Sequence, residues 1–198
     1  MKLLITTIFL SAFFLISAQE KTALEFQPDL NKEYADSANS PLLEADRLVF
    51  AGLPFFDIDN NYRFEADFKK SNRAKPFKMK TTTDRLPEYK VYGTATFKFK
   101  GKMYTLNIYQ NLRLKETEEY GDYLFLPFKD HSNGNETYGG GRFIDLKIPD
   151  SNILVIDFNK AYNPLCAYNH KYSCPIPPEE NHLDFAVEAG VKYIPHDE

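Results

Sequence analysis

Strict alternation of apolar and polar side chains begins at Tyr62: Tyr62, Phe64, Ala66 and Phe68 fall on one side, Arg63, Glu65 and Asp67 on the other. A period of two puts successive side chains on opposite faces of a pleated chain, so the pattern predicts a half-buried strand. It recurs as Tyr89, Val91, Gly93, Ala95, Phe97 and Phe99 against Lys90, Thr94, Thr96, Lys98 and Lys100, before Gly101 turns the chain into Tyr104, Leu106 and Ile108. That succession predicts a hairpin. Tyr123 to Leu126 and Ile153 to Ile156 are short continuous apolar runs, which predict strands covered on both faces, and Phe143 to Ile148 alternates between them. Six or seven strands on short connections predict an all-β, mainly antiparallel fold, a sheet curled into a barrel-like or sandwich form.

The flanks read differently. Residues 20–47 are polar, and Ser40-Pro41 offers a capping hydroxyl followed by a proline suited to the first helical position, predicting a short helix over Leu42 to Arg47. After Phe158 the alternation stops. Tyr162 to Pro178 holds four prolines and both cysteines, and its aromatic content predicts a long ordered loop.

At the N-terminus, Met1-Lys2 precedes an apolar run from Leu3 to Ile16, closed by Ser17-Ala18 ahead of the polar Gln19-Glu20-Lys21. Threonines and a serine interrupt the run, which is too short for a membrane span and reads as a signal peptide cleaved after Ala18. The expected organisation is therefore a signal at 1–18, a polar and helical segment at 19–47, and a single β-rich domain at 48–198, exported to the periplasm or the extracellular space. Cleavage removes Lys2 from 24 basic against 28 acidic residues and leaves a net charge of about −5 without a basic tract, which argues against nucleic acid as a partner. Seventeen phenylalanines and thirteen tyrosines without tryptophan suit a pleated sheet. No segment completes a cofactor motif.

The polar residues gather late in the chain. Asp130 to Glu136 supplies oxygens at alternate positions around Gly134, a pattern shared by a tight turn and, distantly, by a calcium loop. In Thr137-Tyr138-Gly139-Gly140-Gly141-Arg142, glycines permit close backbone approach to a ligand and the arginine can grip an anion through two parallel bonds, although the spacing is not that of a nucleotide loop. Arg142 shares the parity of Ile144, Leu146 and Ile148, which places its guanidinium on the core side. A buried cation needs a partner, and Glu136, Asp157 or a bound anion could supply it, as an internal ion pair or as a ligand anchor. Asp157, followed by Asn159 and Asn163, either caps its strand or joins Glu136 as an acid and base pair. Cys166 and Cys174 in an exported chain suggest a disulfide. The alternatives are a zinc site with His170 and His182 and a thiol nucleophile paired with His131; Ser132, Ser151 and Ser173 sit in no nucleophile elbow.

Long strings in this region resemble one family: Leu126-Pro127-Phe128-Lys129-Asp130, Glu136-Thr137-Tyr138-Gly139, Gly141-Arg142-Phe143, Asp145, Asp157-Phe158-Asn159, Ala161-Tyr162-Asn163-Pro164, Cys166-Ala167-Tyr168-Asn169 and Ser173-Cys174-Pro175. With Ser40-Pro41-Leu42, Phe50-Ala51-Gly52-Leu53 and Tyr62-Arg63 upstream, the chain is similar to the domain of unknown function 1684 family over nearly all of its mature length. The resemblance implies no activity. It does imply that Asp130, Glu136, Tyr138, Arg142, Asp157, Asn159, Asn163, Cys166, Tyr168 and Cys174 belong together, and it specifies no histidine at 131, 170 or 182, which weakens the zinc and Cys-His readings.

The resulting expectation is a pocket for a small anionic or polar ligand. Arg142 holds an anionic group, the backbone around Gly140 approaches it, Asp130, Glu136, Asp157, Asn159 and Asn163 orient polar groups, and Tyr138 with Tyr168 forms the wall. The rival is a hydrolase using Glu136 and Asp157, with or without a metal; a third reading makes the cluster a purely structural polar network.

Overall fold

A two-residue turn at Lys100 and Gly101, both at positive φ, builds the centre of the sheet by joining β3 (Glu88–Phe99) to β4 (Lys102–Asn111). Paired positive φ gives the turn a twist that matches the flanking strands. The protein, here a computed structural model, is described over residues 21–194; the signal expected at 1–18 lies outside the described residues. Around the hairpin lie β1 (Arg63–Lys70), the short β2 (Phe77–Lys78), β5 (Tyr123–Phe128), β6 (Arg142–Lys147) and β7 (Ile153–Asp157). All pairings are antiparallel in the order β6-β5-β4-β3-β1-β7, with β2 on β3, and the sheet curls into a half-barrel. The all-β expectation holds, and β2 is the strand that periodicity could not show because two residues carry no period.

One face of the sheet encloses the main core. Ala66, Ala95, Phe97, Leu106, Ile108, Leu124, Leu126, Ile144, Leu146, Leu154 and Ile156 are buried there around Phe158, whose ring meets those of Phe64, Phe97 and Phe128. The second face is covered too, by a smaller cluster of Met79, Tyr89, Tyr109, Phe125, Phe143, Cys166 and Cys174. A β-bulge divides β3 between the two. The register passes from Val91↔Tyr109 to Gly93↔Ile108, so Tyr92 is an extra residue and the side-chain faces exchange across it. The unbroken alternation from Tyr89 to Phe99 is thereby corrected: Ala95, Phe97 and Phe99 enter the main core, while Tyr89 and Val91 join the opposite face.

The N-terminal segment also departs from expectation. Helix α1 (Ala23–Ala35) precedes the expected one, and the short α2 (Glu44–Leu48) begins two residues later than the proline implied. Glu25 closes the start of α1 by accepting from Thr22 N (2.9 Å) and Thr22 Oγ1 (2.8 Å), and Pro28 inside the helix is what obscured it. Ser40 does not cap α2; its hydroxyl donates to Tyr34 O (2.6 Å) beyond the end of α1. No helix among the described residues is long and apolar enough to cross a membrane.

Candidate functional site

Arg142 lies on the core face of β6, as its parity required, and is completely buried. Its partner is neither Glu136 nor Asp157. Nη2 donates to Asp130 Oδ2 (3.0 Å) and Val187 O (2.7 Å), while Nη1 donates to Ala189 O (2.5 Å). Asp130 Oδ1 in turn accepts from Ser132 N (2.8 Å) and Val187 N (3.0 Å). Protein atoms thus surround the guanidinium, and the pair ties the C-terminal strap at Val187 to Val191 onto the sheet. We read Arg142 as a brace, a place that leaves an external anion no access to it.

The surrounding motif has the same character. Asn133 and Thr137 close the 130–137 loop through Asn133 Nδ2 to Thr137 Oγ1 (2.8 Å) and a backbone bridge, the behaviour of a tight turn rather than of free calcium ligands. A side chain at Gly140 would strike the Tyr138 ring at 2.4 Å, and one at Gly141, at φ +93°, would meet Phe128 O at 2.6 Å. These glycines admit neighbouring protein, which takes the space expected for a ligand. Tyr138 packs edge-on to Tyr193 (5.1 Å between centroids).

Asp157 is buried and caps the 3-10 turn at Phe158–Lys160, its Oδ1 accepting from Asn159 N (3.0 Å) and Nδ2 (2.8 Å). Glu136 is exposed in a separate cleft of about 910 Å³ that Asp157 does not line, where four acidic and four basic side chains balance. The expected acid and base pair is therefore not assembled. Asn159 joins the Asp59 backbone to Asp157, and Asn163 Nδ2 donates to Tyr168 Oη (2.9 Å) and Lys192 O (3.1 Å), so both amides stitch loops together. Tyr168 packs edge-on to Tyr34 (5.2 Å).

The expected disulfide is also corrected, since Cys166 and Cys174 are free, buried neighbours with Cys166 N donating to Cys174 Sγ (3.1 Å). Their hydrogen bond pulls the Cys166 thiol down to about 7 and, with burial, pushes Cys174 up. No group of three or more metal-ligating His, Cys, Asp or Glu residues converges among the described residues, so the zinc set of Cys166, His170, Cys174 and His182 is not gathered.

A different site emerges on the second face of the sheet. A half-enclosed cavity of about 1110 Å³ is bounded by that face, by α1 through Phe26, Leu30 and Tyr34, and by the loops around Arg85 and Tyr172. Its floor follows from register. Phe125 sits opposite Asp145 across β5 and β6, and Tyr123 is the diagonal neighbour on the same face. The chain returns at Tyr162 to form an antiparallel bridge with Phe143, through Phe143 N to Tyr162 O (2.9 Å) and Tyr162 N to Phe143 O (3.0 Å). Tyr123 Oη and Tyr162 Oη then both donate to Asp145 Oδ1 at 2.7 Å. Burial holds both phenols far above their usual range, which keeps them protonated as donors. Cys174 borders this cavity; none of the other expected site residues lines it.

Asp145 is solvent-exposed on the side of the cavity that it borders. Burial raises its carboxyl above the ordinary 3.8, against the lowering effect of the two tyrosine bonds and of Lys160. The folded protein therefore binds this proton more tightly than the unfolded chain does. Its stabilising contribution is complete below the ordinary value and is lost as pH rises through the folded value. Melting temperatures measured across the mildly acidic range should fall with rising pH by more in the wild type than in Asp145→Asn; parallel profiles would contradict the shift.

Asp145, Tyr123 and Tyr162 were missed as a site because parity alone puts Asp145 on a face that reads as solvent. The usable signal was next door: Tyr123 to Phe125 is apolar on both parities, so the second face is covered and a carboxylate on it borders that covering.

The model of a family described as protein of unknown function (DUF1684) matches residues 49–192. The chain is similar to a solved structure, the solution NMR structure of an uncharacterised protein of Haloarcula marismortui, at 32% identity over 84% of this chain and 90% of the other, with a TM-score of 0.67. No curated protein matches it.

Proposed function

Because the chain belongs to the DUF1684 family of unknown function, which hands down no activity, we propose from its own geometry that it is an exported β-domain that binds a small molecule in the cavity beneath α1. The observation that carries this reading is the combination of apolar volume and sparse, oriented polar groups. Aromatic walls supply burial and one tyrosine-held carboxylate supplies direction, the usual make-up of a small-molecule site. Tyr34 strengthens it: this residue on the cavity wall is buried, and its hydroxyl has no hydrogen-bond partner among the described residues. A buried unpaired polar group is costly, and a shift of the ring toward the cavity would let a ligand oxygen or nitrogen relieve it.

Filling the cavity tests the proposal. Leu112 lines it and is only partly buried, so Leu112→Trp adds bulk with little disturbance of the core. A ligand present at about one hundred times its Kd stabilises by about 2.7 kcal/mol. For a protein of this size that is a rise of roughly 5–10 °C in melting temperature. The wild type should show this rise, and a retained adduct by native mass spectrometry, with at least one member of a small-molecule panel, and Leu112→Trp should show neither. Equal responses from both proteins would move the site elsewhere.

A further inference from the structure

Building on the proposed cavity site, we infer that its ligand is an organic cation, a protonated amine on an apolar body, whose ammonium meets the Asp145 carboxylate inside a ring of aromatic side chains. The geometry at Asp145 gives the reason. Both tyrosine hydroxyls converge on Oδ1, which leaves Oδ2 as the oxygen to meet a ligand. A carboxylate gains most from a positively charged donor, because hydrogen bonds between ionised partners are roughly twice as strong as neutral ones. An anion placed at the same point would face the carboxylate's like charge across a short distance.

The walls favour the same chemistry. Phe125 and Phe143 meet edge to face (4.8 Å between centroids), Tyr89 lies 6.0 Å from Phe125, and Tyr162 lies 6.0 Å from Phe143, so a connected run of rings lines the cavity that Asp145 borders. Aromatic faces carry negative potential and attract cations, most strongly where water is kept away. Two basic residues line the cavity, Arg85 and the exposed Arg113; Arg85 is already committed, its Nε donating to Ser173 Oγ (3.1 Å) and Nη2 to Ser173 O (2.6 Å). Beyond the charged end, Phe26 and Leu30 of α1 offer apolar surface to the body of the ligand.

Isothermal titration calorimetry on the mature protein at neutral pH, with n-hexylamine, n-hexanol and sodium hexanoate as probes of equal chain length, reads the head-group preference directly. The amine is expected to bind about tenfold or more tighter than the alcohol, with hexanoate weakest. Asp145→Asn should remove that preference by bringing the amine down to the affinity of the alcohol, with circular dichroism confirming the fold. If Asp145→Asn does not fold, Asp145→Glu keeps the charge and should retain the preference for the amine. Equal binding of amine and alcohol, both lost in Leu112→Trp, would overturn the cation and leave the cavity site standing. Tightest binding of hexanoate would also overturn the cation. Absence of binding by all three probes would overturn the cation and the cavity together.

Discussion

Arg142→Ala is expected to lower the melting temperature by roughly 10–15 °C or to prevent folding altogether. The side chain is completely buried, and its removal strands Asp130 together with the carbonyls of Val187 and Ala189. Breaking a buried pair from one side typically costs about 3–5 kcal/mol, because the remaining charge is left without compensation. That is a large part of the roughly 5–15 kcal/mol that holds a typical domain together. The reciprocal Asp130→Ala leaves a buried cation facing only carbonyls and should cost a similar amount. Arg142→Lys keeps the charge but cannot fork between the carboxylate and the strap, so it should fall between the wild type and the alanine variant. Thermal and urea melts decide the matter. A melting temperature for Arg142→Ala within about 2 °C of the wild type, under 1 kcal/mol for a domain of this size, would show that the pair does not brace the strap.

Replacing Asn181 by leucine should be nearly as damaging, for a reason rooted in a proline. β4 and β5 share one ladder pair, Tyr109↔Phe125, and then part. In a strand a residue's N–H and C=O point to the same side, and the Pro127 carbonyl points toward β4, where proline has no N–H to continue the ladder. Asn181 fills the gap. Its Nδ2 donates to Pro127 O (2.8 Å) and Asn107 O (2.9 Å), and its Oδ1 accepts from Asn107 N (2.8 Å). The side-chain amide thus stands in for a backbone partner. Leucine of similar size would orphan three backbone groups at about 1–3 kcal/mol each, at least about 3 kcal/mol in all. The urea midpoint of Asn181→Leu should fall with little change in slope; a loss under about 1 kcal/mol would mean that water replaces the amide without penalty.

These two residues show where a sequence stops being readable. The alternation of Tyr62 to Phe68 and of Phe143 to Ile148 identified strands and their buried faces, because period and face are local properties of a pleated chain. Parity likewise placed Arg142 on the core side. It could not choose among Asp130, Glu136 and Asp157 as partner, since that choice depends on which loop folds back over β6. Asn181 carries no local signature at all, and its importance comes from a missing donor more than fifty residues earlier. The bulge at Tyr92 is a different failure: the pattern through Tyr89 to Phe99 is regular in letters and interrupted in space, so Tyr89 was assigned to the wrong face. The expected site was drawn from the densest polar residues, which are dense because they tie loops to the sheet. Asp145 stands singly between Ile144 and Leu146, where nothing in the local sequence marks a site.

The most direct test of a ligand site on the second face of the sheet is a titration of the isotopically labelled protein with n-hexylamine, followed by amide chemical shifts. The cavity site predicts that the largest changes cluster at Tyr123, Phe125, Phe143, Asp145 and Tyr162, with the amides around Glu136 and Gly140 unmoved. Changes centred on the Glu136 cleft, or no saturable changes at all, would contradict it.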